Sequence, residues 1–549
     1  MRRLRIIIPQ QPFPNVFSGL AMPPLGPLYI ASAVRAAGGW EVEVIDENNW
    51  TGRGDHRALQ ARRPADVVGF YGGMTSSVPR LYKLAQLYRD MGVFTIAGGG
   101  HVDYLYAEAL ANGVDVVVNG EGEETTPELM AAWEKGEGLQ NVNGISFVCD
   151  TGEATVTPRR AAISDFSRVA RPDFSMIVEK KRSYRWIPVS HIRGCPYHCE
   201  FCSVSRMLGN THGHTVEQTA NYLESLVRAG HREFFFVDDN FVNNRDETIK
   251  LLKKIQETAA RNKTELKLNV QLRVDASRDE ELMREMKQAG VEMVALGIES
   301  PLQEDLKVMK KGQSAEQMKR DIAAFRRFGF YIHGMFIFGY PSADGAPSPS
   351  VPLWLQARAF LDFIRKTGID TIQVLKAVPI PGTKLFERLN KQNRILPLKL
   401  LGWEYYDGNF LTFLPDNGAF AQVHDGAVWI MRRFYSGANL LRLALLALFG
   451  PVLMAAGLVR KWVCLLRRRL AETGRATRRR MLTPRELWEV ARESASASYR
   501  DFARSLRNAL FRSAGYFIVC KWSLQTRRSR FMALLRRFRL RPPDTSEIR

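Results

Sequence analysis

An alternation of short apolar strands and amphipathic helices over residues 186–376 constrains the fold more than any other feature. Strands are predicted at 186–193, 233–238, 266–272, 292–298, 331–338 and 370–376. The helical patterns between them cover Val216–Ala229, Asp246–Asn262, Asp279–Ala289, Ser314–Phe328 and Val351–Lys366. Such alternation favours a parallel sheet covered by helices. Six units, fewer than the eight of a closed barrel, predict a partial (βα)6 TIM-type barrel that binds ligands at the carboxyl ends of its strands.

Three cysteines lie within eight residues at the end of the first of these strands. Cys195, Cys199 and Cys202 have the spacing C-x3-C-x2-C, which supplies three thiolates and no fourth. An iron–sulfur cube held by three cysteines leaves one iron free to bind a substrate. The alternative is a Cys3His zinc site, with a fourth ligand from among His191, His198, His212 and His214. The barrel pattern that follows favours the cube, because a zinc ribbon needs no such scaffold.

The first 150 residues show a second pattern of strands and helices. Strands are predicted at Leu4–Ile8, Glu41–Ile45, Asp66–Tyr71, Val93–Ala97 and Val114–Val118. The predicted helices are Gly26–Ala37, Val78–Met91 and Tyr104–Asn112. This pattern indicates an open, Rossmann-like (flavodoxin-like) α/β sheet of the size that one nucleotide-type ligand needs. No G-x-G-x-x-G opens the first helix, which argues against a dinucleotide.

Two segments of the chain resemble known cofactor-binding domains. The cysteine segment, including Phe201 just before the last cysteine, resembles the radical S-adenosylmethionine (SAM) enzymes. The runs 23–31, 97–101 and 119–124 resemble the cobalamin (B12)-binding domain found upstream of radical SAM domains. The chain therefore resembles the cobalamin-dependent radical SAM family, which includes carbon methyltransferases and an anaerobic porphyrin ring cyclase. Residues 379–386 and 403–408 are similar to members that act on hopanoid lipids.

The resemblance implies which residues bind the iron–sulfur cluster and SAM. The three cysteines would hold a [4Fe–4S] cluster, and SAM would be bound by Phe201, Asp238, Asp239, Arg273 and Glu299. Carboxylates suit the ammonium and ribose hydroxyls of SAM, and an arginine suits its carboxylate. The structural alternative is that the two aspartates cap the next helix and that Arg273 pairs within the barrel.

The resemblance also implies a cobalamin site among glycines at strand ends. The expected residues are Gly26, Gly72, Gly98, Gly99 and Gly120. The D-x-H-x-x-G motif of the other large cobalamin family is absent, since Asp55-His56 is not followed by the required glycine. We therefore expect no histidine to ligate cobalt from below, and we expect His101 to support the glycine loop instead.

The activity implied by the resemblance is methyl transfer to an unactivated carbon of a small-molecule or lipid-like substrate. A 5′-deoxyadenosyl radical would remove the hydrogen, methylcobalamin would supply the methyl group, and a low-potential donor such as a flavodoxin or ferredoxin would supply the electron. One alternative is radical cyclisation or oxidation without methyl transfer. Another is a non-catalytic, membrane-attached cobalamin or metal sensor. The intact cysteine trio and the acidic strand ends argue against the sensor.

The net charge of +21 is concentrated in residues 430–549, which hold 27 Lys and Arg and seven Asp and Glu. Within them Leu443–Val459 is uncharged and apolar but interrupted by Gly450-Pro451, and it is shorter than the roughly 20 residues of a spanning helix. Residues 515–522 and 531–538 mix apolar and basic side chains. Such segments predict peripheral contact with an anionic membrane. The alternatives are packing on the barrel and RNA binding; no nucleic-acid partner is expected, since no RNA-binding motif accompanies the charge.

The cysteine content and the first residues of the chain indicate where the protein acts. Six cysteines, three of them scattered, do not suggest a disulfide framework, and a low-potential cluster needs a reducing compartment. Since the first residues read as a strand rather than a signal peptide, we expect a cytoplasmic enzyme associated with the inner face of the membrane. The predicted domains are a cobalamin-binding domain at 1–150, a linker at 151–185, a radical SAM barrel at 186–390 and a mostly helical, basic region at 391–549.

Overall fold

The computed structural model describes residues 1–13, 22–343, 352–416, 420–476, 483–527 and 529–540. The chain forms two compact units. The first comprises residues 1–427 together with 526–549, and the second comprises residues 428–525. Val351, predicted to start a helix, lies outside the described residues.

The N-terminal part of the first unit is built on a seven-stranded sheet. Its strands are β1 (Arg2–Ile8), β2 (Trp40–Asp46), β3 (Val67–Tyr71), β4 (Phe94–Gly98), β5 (Val116–Val118), β6 (Ile145–Val148) and β7 (Ala154–Val156). Their order is β2-β1-β3-β4-β5-β6-β7; the first five are parallel and the last two are antiparallel additions. Alternate residues of β1 enter two different cores, Leu4 and Ile6 on one face and Ile7 on the other. The sheet is therefore covered on both faces, as the apolar runs of its strands require.

Helices pack on this sheet. They are Leu25–Ala37, His56–Arg62, Val78–Arg89, Gly100–Tyr104, Tyr106–Ala111 and Gly122–Lys135. The helix predicted at Tyr104–Asn112 is present as Tyr106–Ala111, and Leu105, with non-helical backbone angles (φ −113°, ψ 44°), separates it from the short helix Gly100–Tyr104.

The segment predicted as a linker, 151–185, is largely part of the N-terminal fold. Strand β7 lies within it and extends the first sheet. Farther along, Ile163, Phe166 and Met176 are buried in the N-terminal core, and Ile177 pairs with Val44 of β2. The N-terminal fold thus continues well past residue 150.

The second sheet is the predicted partial barrel. Its six strands are β8 (Ile187–Val189), β11 (Glu233–Phe236), β12 (Lys267–Leu272), β13 (Val291–Glu299), β14 (Tyr331–Phe338) and β15 (Thr371–Lys376). All neighbouring strands are parallel, in the order β15-β14-β13-β12-β11-β8, so β15 and β8 are the two edges of an open sheet. The helices between the strands are Val216–Arg228, Arg245–Arg261, Glu280–Gln288, Ala315–Arg327 and Leu353–Thr367. The predicted α/β class with a six-stranded barrel is confirmed.

Smaller elements complete this part of the molecule. The short strands β9 (Ile192–Arg193) and β10 (His212–Gly213) pair antiparallel on either side of the cysteines. Three further helices are Val204–Met207, Gln303–Val308 and Lys384–Lys391. Among the described residues, 3-10 turns lie at Val274–Arg278 and Trp403–Tyr405 here, and at Thr75–Ser77, Leu139–Asn141, Phe166–Arg168 and Phe174–Met176 in the N-terminal fold.

The region predicted as one C-terminal part, 391–549, is divided between the two units. Its helices are Phe420–Phe434, Ala438–Ala476, Pro484–Thr526 and Arg530–Leu540. The last of them returns to the first unit, where the buried ring of Phe531 lies 5.0 Å from Phe410, 5.8 Å from Phe420 and 4.9 Å from His424. Residues 428–525 are therefore an insertion in the first unit rather than a tail.

The inserted unit is a helical hairpin. Ser498 Oγ donates to the carbonyl oxygen of Met454 at 2.9 Å, and Lys461 Nζ pairs with the carboxylate of Asp501. These contacts join its two long helices side by side. In the part of the chain that the structure describes, no single helix is long and apolar enough to cross a membrane, but Phe420–Gly450 and Met454–Arg467 meet that test as a pair bent by 78°. The bend falls where Gly450-Pro451 interrupts the apolar stretch.

Candidate cofactor sites

The cysteine loop begins at the carboxyl edge of the barrel, directly after β9. Gly194 has φ +84°, which favours glycine. Its N–H donates to Asp239 Oδ2 at 3.1 Å, and its carbonyl oxygen accepts from Asn243 Nδ2 at 3.2 Å. The backbone that leads into Cys195 is therefore fixed by two side chains that follow β11.

The three cysteine thiols are close enough to act on one another electrostatically. Burial raises the pKa of each thiol, and the neighbouring cysteines also raise the pKa of Cys199 and Cys202, so that the pKa of Cys202 reaches about 11. Among the described residues no three His, Cys, Asp or Glu side chains are grouped closely enough to hold a single metal ion. The three thiols thus lie near one another but do not surround a single metal position. In a four-iron cube each thiolate would bind a different iron.

Glu200, between Cys199 and Phe201, attaches the loop to the rest of the barrel. Its carboxylate accepts from Arg388 Nε at 2.7 Å and from the Tyr340 hydroxyl at 2.8 Å. The Phe201 ring meets the Tyr340 ring edge to face at 6.3 Å. Sequence reasoning missed Glu200, because its partners lie 140 and 188 residues away.

The two predicted aspartates hold backbone on either side of the loop start. Asp238 Oδ1 accepts from the N–H groups of His191 and Ile192 at 2.8 and 3.1 Å, whereas its buried Oδ2 has no hydrogen-bond partner among the described residues. Burial raises the pKa of Asp238 to about 7 and raises that of Asp239 as well. The helix-cap alternative fails for both, because Asn244 caps the helix that follows.

Arg273 is engaged inside the barrel. Its guanidinium stacks 3.8 Å from the centre of the Tyr197 ring, pairs with Asp275 at 3.1 Å and donates to the carbonyl oxygen of Lys311 at 3.2 Å. This matches the structural alternative of pairing within the barrel. Its role toward the carboxylate of SAM stays a prediction.

Glu299 forms a buried ion pair with Lys311. Lys311 Nζ lies 3.0 Å from Glu299 Oε1, and Glu299 has φ +64°, a backbone angle that is rare outside glycine and concentrated at functional sites. Burial alone would lower the pKa of Lys311, but the negative charges of Glu299 and Cys199 raise it. Lys311 is a second cation at the cysteine loop that the sequence did not reveal.

A cavity of about 280 Å³ lies between the carboxyl ends of the N-terminal strands and the start of the cysteine loop. Four of the five predicted glycines line it, namely Gly26, Gly98, Gly99 and Gly120. The fifth, Gly72, is not in the lining; a Cβ there would lie 2.6 Å from Val102 Cγ1, so this glycine permits close packing instead. Ser190, Arg193 and Val237 of the barrel also face the cavity.

The glycine wall of the cavity depends on glycine itself. Gly99 has φ +116°, and a Cβ on it would lie 2.5 Å from the backbone nitrogen of Gly73. Any side chain at this position would clash with backbone as well as strain the turn. The wall therefore stays free of side chains, as the close approach of a large flat ligand requires.

His101 lies beside the glycine loop and does not line the cavity. Its N–H donates to the carbonyl oxygen of Gly72 at 3.1 Å, and its Nδ1 lies 3.2 Å from Thr75 Oγ1. Burial lowers the pKa of its imidazole to about 4, so the ring is neutral. This placement suits the expected supporting role; the absence of a cobalt ligand stays a prediction.

Comparison with known proteins assigns both halves of the first unit. The family model of the radical SAM superfamily matches residues 189–344, and the B12-binding domain model matches residues 17–130. The chain thus carries a B12-binding domain followed by a radical SAM domain. The matched ranges contain the cysteine trio and all five predicted glycines, so the recognition made from the sequence is confirmed.

The chain is similar to curated proteins that are named as methyltransferases, a methylase and a ring cyclase. An uncharacterized methyltransferase of Pyrococcus horikoshii is 28% identical over 417 residues, covering 74% of this chain and 86% of the relative. The anaerobic magnesium-protoporphyrin IX monomethyl ester cyclase of Rubrivivax gelatinosus is 28% identical over 353 residues (59% and 61%). The hopanoid C-2 methylase of Rhodopseudomonas palustris is 24% identical over 388 residues (68% and 66%). The chain thus spans less than two thirds of the cyclase and about two thirds of the hopanoid methylase.

A solved structure shares the fold. The cobalamin-dependent S-adenosylmethionine radical enzyme OxsB, solved with aqua-cobalamin and S-adenosylmethionine, aligns over 100% of this chain and 82% of its own, with a TM-score of 0.62 and 16% identity. At that identity the likeness concerns the fold alone.

The two domains imply a [4Fe–4S] cluster, SAM and cobalamin, and the residues present suit all three. The cysteines supply three thiolates for a cluster with one open iron. Two cations, Arg273 and Lys311, and two carboxylates, Asp239 and Glu299, act electrostatically on the thiols. They complement the carboxylate and the ammonium group of SAM. The glycine-walled cavity offers a flat ligand an approach to backbone.

Proposed function

We propose that this enzyme methylates an unactivated carbon of a small-molecule substrate. When bound, the cofactors supply a carbon-centred radical and a methyl group, which is the demanding part of the chemistry. The observation that carries the proposal is the shared wall of the two sites: Arg193 lines the cavity and lies two residues before Cys195. The site for a methyl donor therefore adjoins the site of radical formation.

The chain's own residues then position and shield the cofactors. Asp239 fixes the start of the cysteine loop at Gly194, and Glu200 fixes it between Cys199 and Cys202. Asp239, Arg273 and Glu299 orient SAM through its charged groups and ribose, with Lys311 as a further cation. Glycine at positions 98, 99 and 120 admits cobalamin to the edge of the N-terminal sheet. A low-potential electron donor, such as a flavodoxin or ferredoxin, is proposed to reduce the cluster.

Methyl transfer is tested by following the label from SAM. Reconstituted enzyme is given cobalamin, a low-potential reductant, SAM with a trideuterated methyl group and, as the source of the acceptor, a metabolite extract of a deletion strain. It should form 5′-deoxyadenosine and a product that is heavier than its substrate by one labelled methyl group. The control is the enzyme with Cys195, Cys199 and Cys202 replaced by alanine, which should form neither. An unlabelled product that has lost hydrogen would favour the cyclase or oxidase alternative, which the cyclase relative supports. Absence of 5′-deoxyadenosine from cluster-loaded enzyme would favour the sensor.

We further propose that the inserted hairpin binds an anionic membrane and that the substrate is lipid-like. Large apolar side chains are exposed on the hairpin, with Leu448 at 72%, Val452 at 67% and Ile518 at 54%. Exposed arginines lie on the same helices, and residues 430–549 account for most of the protein's net positive charge. Apolar groups flanked by cations match a lipid surface with anionic headgroups. The hopanoid methylase relative supports a lipid-like substrate.

Vesicle flotation tests this second proposal. The full-length enzyme should float with vesicles that contain anionic lipid and much less with neutral ones, and high salt should release it only partly, because apolar burial is insensitive to screening. Lipid extracts of a deletion strain, compared with those of the parent strain, should lack a methylated lipid. Enzyme that stays at the bottom of the gradient with anionic vesicles at low salt would refute membrane binding.

A further inference from the structure

Arg193 forms a buried ion pair with two glutamates, Glu121 and Glu123. It thereby joins the segment 121–123, beside the cavity, to the cysteine loop. Its Nη1 lies 2.6 Å from Glu121 Oε1, and its Nη2 pairs with the carboxylate of Glu123. The three side chains are 16%, 10% and 6% exposed.

The geometry leaves Arg193 little freedom. The guanidinium lies 4.7 Å from the centre of the Tyr29 ring and 5.2 Å from that of Phe166. Glu121 is held further by His212 Nε2 at 3.0 Å. A planar guanidinium that pairs with two carboxylates and lies over two aromatic rings has one favourable position.

Both ends of this link reach a cofactor site. Glu121, Glu123 and Arg193 all line the glycine-walled cavity. On the other side, the next residue, Gly194, is fixed to Asp239 at 3.1 Å, and the first cysteine follows it. If the segment 121–123 moves, strand β9, which leads into the cysteine loop, must therefore move with it.

We propose that Arg193 is a positioning residue that couples the two cofactor sites, so that cobalamin in the cavity tightens the binding of SAM at the cluster. By thermodynamic reciprocity SAM must then tighten the binding of cobalamin by the same factor. Lysine cannot bridge both carboxylates as arginine does. This inference rests on the proposed function, since it needs both cofactors to bind.

The test measures binding rather than activity. Isothermal titration of SAM into cluster-loaded enzyme, with and without hydroxocobalamin, gives the coupling factor. Titration of hydroxocobalamin with and without SAM should give the same factor. Within the usual range of such couplings, about 5- to 150-fold, the native enzyme should show a clear factor. In Arg193→Lys the factor should fall toward one. The control Arg185→Lys, at an exposed ion pair with Glu233, should keep the native factor.

A second variant covers the case in which Arg193→Lys leaves an unpaired buried carboxylate and fails to fold. In Arg193→Met combined with Glu121→Gln and Glu123→Gln no buried charge remains unpaired, and the coupling factor should again be close to one. A native-like factor in either folded variant, or a factor of one in the native enzyme, would overturn the inference while leaving the cofactor assignment intact. Failure of the native enzyme to bind hydroxocobalamin at all would refute the proposed function itself.

Discussion

Lys311 Nζ and Glu299 Oε1 lie 3.0 Å apart in a buried ion pair, and both residues act electrostatically on Cys199. Lys311→Met leaves the carboxylate of Glu299 buried without its cation, which should lower the free energy of unfolding by about 3–5 kcal/mol. Glu299→Gln combined with Lys311→Met should recover much of that loss. The measurement is denaturant unfolding, with the exposed pair variant Lys319→Met as control. A double variant less stable than Lys311→Met would contradict the pairing.

Glu299→Gln should also weaken SAM binding. A hydrogen bond to a charged group contributes about 1.5–3 kcal/mol, so we expect roughly a 10- to 100-fold rise in the dissociation constant. Equilibrium binding of SAM to cluster-loaded enzyme measures it, and iron content checks that the cluster is retained. An unchanged dissociation constant with a full cluster would exclude Glu299 as a SAM ligand.

Anaerobically reconstituted protein should contain about four irons per chain, the content of one [4Fe–4S] cluster. Replacing Cys195, Cys199 and Cys202 by alanine should remove the iron and the visible charge-transfer absorption. Cys149→Ala, which changes a cysteine outside the trio, should keep both. One zinc per chain and no visible absorption in the native protein would establish the zinc alternative.

His101→Ala should leave the visible spectrum of bound cobalamin largely unchanged, because the imidazole contacts Thr75 and lies outside the cavity lining. The full-length protein should be used, since residues beyond 150 belong to the N-terminal core. A nitrogen-ligand signature that disappears in His101→Ala would show that this histidine ligates cobalt.

Glu47 should make part of the stability depend on pH. Burial alone would raise the pKa of Glu47, but hydrogen bonds from His56 and Arg80 lower it to about 2, against an ordinary value of 4.5. Between these values the unfolded chain binds a proton that the folded chain does not, so stability falls as pH falls through this window. Glu47→Gln should cost about 3 kcal/mol at neutral pH. That difference should shrink toward pH 2, as measured by chemical denaturation at several pH values.

The control for this pH dependence is Glu41→Gln, in which the exposed partner of Arg3 is changed. It should cost about 1 kcal/mol or less at any pH. A pH-independent cost for Glu47→Gln would show that the carboxylate titrates normally in the folded state.

Leu448→Asp with Val452→Asp should weaken the binding of the full-length enzyme to anionic vesicles by at least tenfold. Each leucine or valine side chain buried in lipid would contribute roughly 1.5–3 kcal/mol. Because both side chains are largely exposed, the thermal unfolding temperature should not change. Leu398→Asp, at an exposed leucine of the first unit, is the matched control in flotation. Equal flotation of all three proteins would exclude the hairpin as the membrane contact.

The sequence predicted the two sheets well, because each parallel strand is a short apolar run followed by an amphipathic helix. Four of the five glycines predicted for cobalamin lie in the cavity lining, since they occupy strand ends; the roles of these glycines and of the three cysteines stay predictions. The sequence did not predict the short helix Gly100–Tyr104, which is separated from the next helix by the backbone angles of Leu105, or the folding of 151–185 onto the N-terminal core. The partners of Lys311, Glu200 and Arg193 were also missed, because those contacts join residues that only tertiary folding brings together.

The buried position of Phe531 has a consequence for the order of folding during synthesis. Its ring packs among Phe410, Phe420 and His424, but residues 428–525 are translated in between. The aromatic cluster cannot be completed until the entire hairpin and Phe531 have left the ribosome. Until then part of its apolar surface is exposed to solvent. Released chains that are truncated before residue 531 should therefore be more open to proteolysis near residues 403–416 than the full-length protein.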